Sequence, residues 1–200
     1  LVTWGIDPQE VESSAITAMR SRMGIAGRYV LWAGTIEPRK NLPVLLSAFE
    51  GIEDRDVTLV LAGPEGWNEQ IDGQLGRLGS RVVRVGFVEP ETLSQLQAAA
   101  ELFIFPSRQE GFGLPVLEAM AQGTAVITSS GTSTEEVVGD CGVVVDPSDV
   151  DALRAEIDRL LADDAERDRL GRAGLDRATS LFSWEKTAKA LQSAYEEATA

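Results

Sequence analysis

The run Leu102-Phe103-Ile104-Phe105-Pro106-Ser107, then Arg108-Gln109, then Glu110-Gly111-Phe112-Gly113-Leu114-Pro115-Val116-Leu117-Glu118, decides how this chain folds. Its first part is an apolar run of strand length. Two glycines then make a loop, after which Leu114, Leu117 and Met120/Ala121 are spaced as on one face of a helix. Strand, glycine-containing loop and helix in that order form the repeating unit of a parallel α/β sheet. The unit also makes an anion site, because unpaired N–H groups at a helix start point at whatever sits there. Glu110 and Glu118 stand eight positions apart on either side of the helix start.

The same alternation extends outward in both directions. Apolar runs at 29–34, 58–63, 82–87, 102–107, 125–130 and 142–146 predict about six strands. Most lack polar alternation, as strands covered on both faces do. Between them, Leu42, Leu45, Leu46 and Phe49, and then Leu93, Leu96 and Ala100, keep helical spacing. The expected fold is therefore α/β, a Rossmann-like parallel sheet with helices on both faces. After Pro147 a helical C-terminal tail is expected, with helices over 149–162, 165–178 and 184–198, the last capped by Ser183. The predicted organisation is a connector and first helix over 1–27, the helix running from about Pro8 to Met23. A Rossmann-like domain over 28–182 and a C-terminal helix over 183–200 follow.

Composition narrows the function. Two hundred residues suffice for one well-cored domain. Lys plus Arg number 18 against 32 Asp plus Glu, a net charge of −14 that argues against nucleic acid and anionic membrane as partners. No apolar stretch has the length of a membrane span and no signal peptide opens the chain, so a cytoplasmic setting is expected, without direct membrane insertion. The lone cysteine, Cys141, rules out an internal disulfide and reads as a small buried residue. There is no histidine, which removes the commonest general base and metal ligand; no metal site is expected. The chain starts at Leu1 without an initiator Met, as a fragment or excised domain would.

Loops at the carboxyl ends of parallel strands form the ligand face of an open α/β sheet. Three motifs fall there: 35–41, 86–88 and 110–118. In Gly34-Thr35-Ile36-Glu37-Pro38-Arg39-Lys40-Asn41, Arg39 offers a planar fork and Lys40 a point charge, either a diphosphate clamp or a solvated charge pair at a turn. Glu110 is either a sugar-facing carboxylate or a surface loop charge. Glu118 either accepts from vicinal hydroxyls or is a first-turn acid favoured by the helix dipole. An anion site flanked by two carboxylates suits a nucleotide sugar. Other residues read as structure: Thr132-Ser133-Thr134-Glu135 as a capping box, Trp32 as core, Trp184 as packing for the last helix. Gly111-Phe112-Gly113 lacks the third glycine of a dinucleotide fingerprint, which disfavours a dehydrogenase.

These motifs together resemble the C-terminal, nucleotide-sugar-binding domain of GT-B glycosyltransferases, in the retaining group known as family 4 or group 1. Trp4-Gly5-Ile6-Asp7 is similar to that family's entry into this domain, Gly34 to Leu42 to its phosphate loop, and Glu110 to Glu118 to its Glu-x7-Glu motif. Glu136 to Asp140, followed by Val145-Asp146-Pro147, fits its next helix and strand. The resemblance implies that Arg39 and Lys40 hold the donor diphosphate in a loop begun by Gly34 and Thr35. It implies that Glu110 contacts the transferred sugar, that Gly111, Phe112, Gly113 and Leu114 present backbone N–H groups to sugar and distal phosphate, that Glu118 binds the ribose, and that Phe87 and Val88 border the base. The implied reaction is hexosyl transfer from a nucleoside diphosphate sugar to an acceptor hydroxyl with retention, needing no cofactor or metal. Thr35 stands where many members carry Arg, so Arg39 is expected to substitute for it.

The resemblance also implies a partner, an N-terminal acceptor-binding domain, without which the chain is expected to bind donor and turn over little. The phosphate-loop variant is similar to mannosyltransferase-like sequences, which puts GDP-mannose ahead of UDP-sugars. Two alternatives stay open. One is a nucleotide-sugar epimerase on a GT-B scaffold, set back by the absence of histidine; the other is a non-catalytic nucleotide-binding module.

Overall fold

A computed structural model of the chain describes residues 4–67 and 70–199. The first three residues of the expected connector and the last residue of the expected C-terminal helix lie outside the described residues. Helix α1 (Ser13–Met23) precedes β1 (Tyr29–Ala33). Then α2 (Leu42–Gly51) leads to β2 (Thr58–Ala62), α3 (Asp72–Leu78) to β3 (Val82–Gly86), and α4 (Pro90–Ala98) to β4 (Leu102–Phe105). Next, α5 (Leu114–Ala121) leads to β5 (Val126–Ser129) and α6 (Ser133–Val138) to β6 (Val143–Val145). Helices α7 (Val150–Ala162), α8 (Asp164–Leu181) and α9 (Trp184–Thr199) follow.

The strands form one six-stranded parallel sheet in the order β3-β2-β1-β4-β5-β6. The chain steps outward from β1 to β3, then crosses back to β4 and steps outward the other way. Because each crossover is right-handed, the reversal moves the connecting helices to the opposite face. Where the order reverses, β1 lies directly beside β4, with Val30 opposite Leu102 and Leu31 opposite Phe103. The loops that leave these two strands therefore diverge at their carboxyl ends and open a crevice.

The central strands β1, β4 and β5 are buried at every position, which is why their sequences are continuous apolar runs. Trp32, Tyr29, Phe49, Phe103 and Phe105 are the largest fully buried side chains, each contributing about 1.5–3 kcal/mol through removal from water. Tyr29 keeps its hydroxyl satisfied by donating to the Leu96 carbonyl at 2.6 Å.

The strands end earlier than their apolar runs. Pro106 has no N–H for a ladder bond, so β4 stops at Phe105. Gly63 adopts φ 136, and a Cβ there would lie 1.9 Å from the Gly34 carbonyl oxygen. The two loops after β1 and β2 thus pack backbone to backbone.

Other boundaries shift too. Helix α1 starts at Ser13 rather than Pro8, because Gln9, Glu10 and Glu12 give the intervening stretch little apolar surface to bury. Helix α8 continues to Leu181, burying Leu170, Gly171, Gly174 and Ala178, and packs along α5. Trp184, expected to pack the last helix, is 48% exposed and meets Trp4 edge-on at 6.2 Å. Ser183 does cap α9, its Oγ accepting from the Lys186 N–H at 3.3 Å.

Candidate functional site

The loop after β1 reaches the crevice through a 3₁₀ turn, Pro38–Lys40. Glu37 enters it in extended conformation, and its carbonyl accepts from the Lys40 N–H at 2.9 Å. Asn41 closes it in the left-handed region at φ 57, a conformation asparagine tolerates better than most residues. The Asn41 side chain donates to the carbonyls of Pro106 at 3.0 Å and Pro147 at 2.6 Å, tying the loops after β1, β4 and β6 together. The Arg108 N–H donates to the Arg39 carbonyl at 2.8 Å. The Arg39–Lys40 loop is thus fixed at both ends against the loop that carries Glu110.

Side chains then meet across the crevice. Lys40 Nζ donates to Glu110 Oε1 at 2.7 Å and sits 4.6 Å from the centroid of the Phe105 ring. Arg39 Nη1 donates to Glu110 Oε2 at 3.0 Å, and Arg39 Nε lies 2.5 Å from Glu37 Oε1. Exposure separates the two cations. The Lys40 side chain is 8% exposed and that of Arg39 47%. Lys40 therefore sits beneath its partners, because a lone ammonium at that depth would be costly without a carboxylate. Arg39 faces the crevice. Glu110 is not the surface loop charge that its position first allows; its side chain is 7% exposed.

Helix α5 begins beside this cluster. Gly113 is its N-cap at φ 101, and a Cβ there would stand 2.6 Å from Thr134 Cγ2. Only glycine suits that backbone and that gap. Among the described residues, the N–H groups of Phe112, Gly113 and Leu114 donate to no protein atom. They are the unpaired donors that a helix start leaves behind. Phe112 packs edge-on against Phe182 at 6.0 Å, and Ser133 Oγ donates to the Glu110 carbonyl at 3.1 Å, so the loop is held from below.

A second region lies further along α5. A cleft of about 380 Å³ is lined by Phe87, Val88, Asp7, Gln97, Glu118 and Gln122, among others. Phe87 is 69% exposed at its lip, while Val88 packs partly into the core. Glu118 belongs to the second turn of α5, which starts at Leu114, so a first-turn dipole role does not fit it. Burial pushes its carboxyl above the usual carboxylate range, opposed by a hydrogen bond from the Gln97 side chain.

Arg39, Lys40 and Glu110 are brought into direct contact, and Glu118, Phe87 and Val88 share the cleft. Gly34 backs the Lys40 side chain, a Cβ there standing 3.6 Å from Lys40 Cε, but among the described residues it adds no hydrogen bond to the ion cluster. Gly34 donates to Ala62, Ile36 donates to Pro64, and among the described residues neither Gly34 nor Thr35 hydrogen-bonds to Arg39, Lys40 or Glu110. The Thr132 capping box forms with altered partners: the hydroxyl accepts from the Thr134 N–H and Glu135 reaches back to the Gly131 N–H at 2.7 Å. Cys141 is only partly buried. Sequence alone did not point to Glu37 and Asn41 as parts of the site. Their only signal is position, on either side of Pro38-Arg39-Lys40. Among the described residues there is no group of three or more His, Cys, Asp or Glu side chains placed to hold a metal. No helix is long and apolar enough to cross a membrane.

The six-stranded parallel sheet of this order has the Rossmann-like α/β fold of the C-terminal half of GT-B glycosyltransferases. The chain belongs to the family described as "Glycosyl transferases group 1", whose match spans residues 23–177. It is 44% identical over 173 residues to the O-antigen chain mannosyltransferase B of Escherichia coli, covering 84% of this chain and 45% of that protein. It is 37% identical over 183 residues to the MMP alpha-(1->4)-mannosyltransferase of Mycolicibacterium hassiacum, covering 88% of this chain and 44% of that protein. Among solved structures, the sucrose-phosphate synthase of Thermosynechococcus elongatus superposes with a TM-score of 0.81 at 30% identity, over 98% of this chain and 50% of that one. The chain thus spans about half the length of the relatives it matches.

Proposed function

We propose that this chain is the donor-binding half of a retaining glycosyltransferase that moves a hexosyl group from a nucleoside diphosphate sugar to an acceptor hydroxyl. One observation carries the proposal: Arg39, Lys40 and Glu110 converge beside the unpaired N–H groups of α5, with the Glu118 cleft on the same helix. The nucleoside fills the cleft, its base against Phe87 and Val88 and its ribose hydroxyls on Glu118. The diphosphate lies over the start of α5. The sugar meets Glu110 and the 111–114 backbone.

The cluster's charges constrain how the diphosphate is held. Glu37 and Glu110 together neutralise Arg39 and Lys40, so the anion cannot rely on excess positive charge there. It relies on the backbone donors and dipole of α5, with the exposed end of Arg39 as the main side-chain contact. As the glycosidic bond breaks, charge builds on the leaving phosphate, and donors already fixed in place stabilise it without reorganising. Lys40 acts from beneath, holding Glu110 in position. The diphosphate takes the acceptor's proton on the face it leaves. Two relatives named as mannosyltransferases favour mannose, and with it GDP-mannose, as donor.

An N-terminal domain outside this chain supplies the acceptor pocket, so the chain alone binds donor with little turnover. Titration calorimetry with GDP, UDP and ADP, repeated on Arg39→Ala and Glu118→Ala, tests the proposal. A diphosphate that binds the parent chain and loses affinity in both variants supports it. Affinity unchanged in both removes the site assignment.

A further inference from the structure

The diphosphate site proposed above depends on one exposed cation, and its orientation has a visible cause. Glu37 is 4% exposed although it carries a carboxylate on a surface loop. A carboxylate at that depth is tolerable only with a charged partner. The turn geometry supplies it. With Lys40 N–H bonded back to the Glu37 carbonyl, the side chains two residues apart fold onto each other, and Arg39 Nε comes to 2.5 Å from Glu37 Oε1.

Glu110 engages the same guanidinium from its Nη1 side, where Arg39 also donates to the Gln109 carbonyl at 3.4 Å. The two carboxylates arrive from different loops, one after β1 and one after β4. Glu110 takes a hydrogen bond from Nη1, whereas Glu37 meets Nε as an ion pair, its buried Oε1 accepting no hydrogen bond among the described residues. Among the described residues, Nη2 makes no hydrogen bond to protein. A side chain that is 47% exposed would ordinarily sample many rotamers. Here it is held by hydrogen bonds at Nη1 and by the Glu37 ion pair at Nε, with Nη2 left to meet a ligand.

We infer that Glu37 is a positioning residue, acting through Arg39 to fix the guanidinium with Nη2 presented to the donor's phosphate. The inference rests on the proposed placement of the diphosphate at Arg39. Glu37 does not touch the ligand. Its charge opposes an incoming anion, whereas its hold on Arg39 favours it. Glu37 already spends its charge on Arg39 at contact distance, so the orienting effect outweighs the repulsion.

The test is a double-mutant cycle read by calorimetry with GDP, with UDP titrated in parallel. The variants are Glu37→Ala, Glu37→Gln, Arg39→Ala and the Glu37→Ala/Arg39→Ala pair, with thermal melts of each. We expect Glu37→Ala to weaken binding about tenfold, comparable to one charge-assisted contact, and Glu37→Gln to weaken it by a similar factor, because the hold on Nε is an ion pair and the amide carries no charge. In the Arg39→Ala background, Glu37→Ala should change affinity no further. If Glu37→Ala leaves affinity unchanged or tightens it while Arg39→Ala weakens it, Glu37 does not position Arg39, although the phosphate site stands. An equal loss from Glu37→Ala in both backgrounds makes its role merely structural and overturns the inference. If Arg39→Ala has no effect, or neither nucleotide binds the parent chain, the placement of the diphosphate fails and the inference with it. Should Glu37→Ala not fold, Glu37→Gln carries the same cycle.

Discussion

The Lys40 ammonium donates to Glu110 at 2.7 Å across 70 residues of chain, with both side chains less than a tenth exposed. The contact joins the loops on either side of the switch point. It makes the candidate site part of the domain's stability rather than an appendage to it.

Breaking that pair should be costly. Lys40→Met leaves the Glu110 carboxylate at depth with only Arg39 as a charged partner, and should lower stability by about 3 kcal/mol. Glu110→Gln added to Lys40→Met removes the stranded charge and should recover part of the loss. Urea denaturation of the single and double variants measures both steps. Additive losses would show that the two residues do not depend on each other.

Glu118 gives a pH signature opposite to that of most paired carboxylates. Burial raises its folded value above the usual 4.5, so the folded chain holds this proton more tightly than the unfolded chain. By linkage, no cost exists below the unfolded value; the cost grows as pH rises toward the raised folded value and persists above it. Glu118→Gln should therefore melt higher than the parent at neutral pH, and the gap should close by about pH 4. Melting curves across that range check the sign. The same variant should bind nucleotide more weakly, since an amide accepts from ribose hydroxyls less strongly than a carboxylate.

Asn41 separates backbone from side-chain effects. Asn41→Gly keeps the left-handed turn but loses the donors to Pro106 and Pro147, for a cost of about 2 kcal/mol. Asn41→Ala adds backbone strain and should cost about 3 kcal/mol. Asn41→Asp, the same shape facing two carbonyl oxygens without a donor, should be the worst of the three. Thermal denaturation orders them.

Gly113 should tolerate no side chain. Alanine there meets both an unfavourable φ of 101 and Thr134 Cγ2, for a loss of about 2 kcal/mol or more. Thr134→Ser in the same chain removes that methyl while retaining a hydroxyl toward Thr128, so it should relieve the clash and leave the backbone strain. Partial recovery of stability in the double variant is the expected outcome.

Much of this was legible along the chain because it rests on local chemistry. Leu102 to Phe105 and Tyr29 to Ala33 announce buried strands by composition, and Pro106 and the glycines announce where pairing stops. The candidate residues Arg39, Lys40, Glu110 and Glu118 were visible as charges in loops and helix starts at the carboxyl ends of strands. Their division of labour was not. Trp184 shows the same limit: it packs on Trp4 and Gly5, as an aromatic at a helix start suggests, but how much surface awaits it is a matter of distant packing, and it stays half-exposed.

The sequence by itself determined the alternation of strand and helix, the parallel sheet and the loops in which ligand chemistry must lie, since periodicity, proline and glycine act within a few residues. Tertiary structure alone decided which cation is buried and which is presented. Placing β1 beside β4 brings Glu110 over Lys40, and the turn after β1 folds Glu37 onto Arg39. The depth of a charge and the identity of its partner depend on contacts across 70 residues, and no local pattern encodes such a distance.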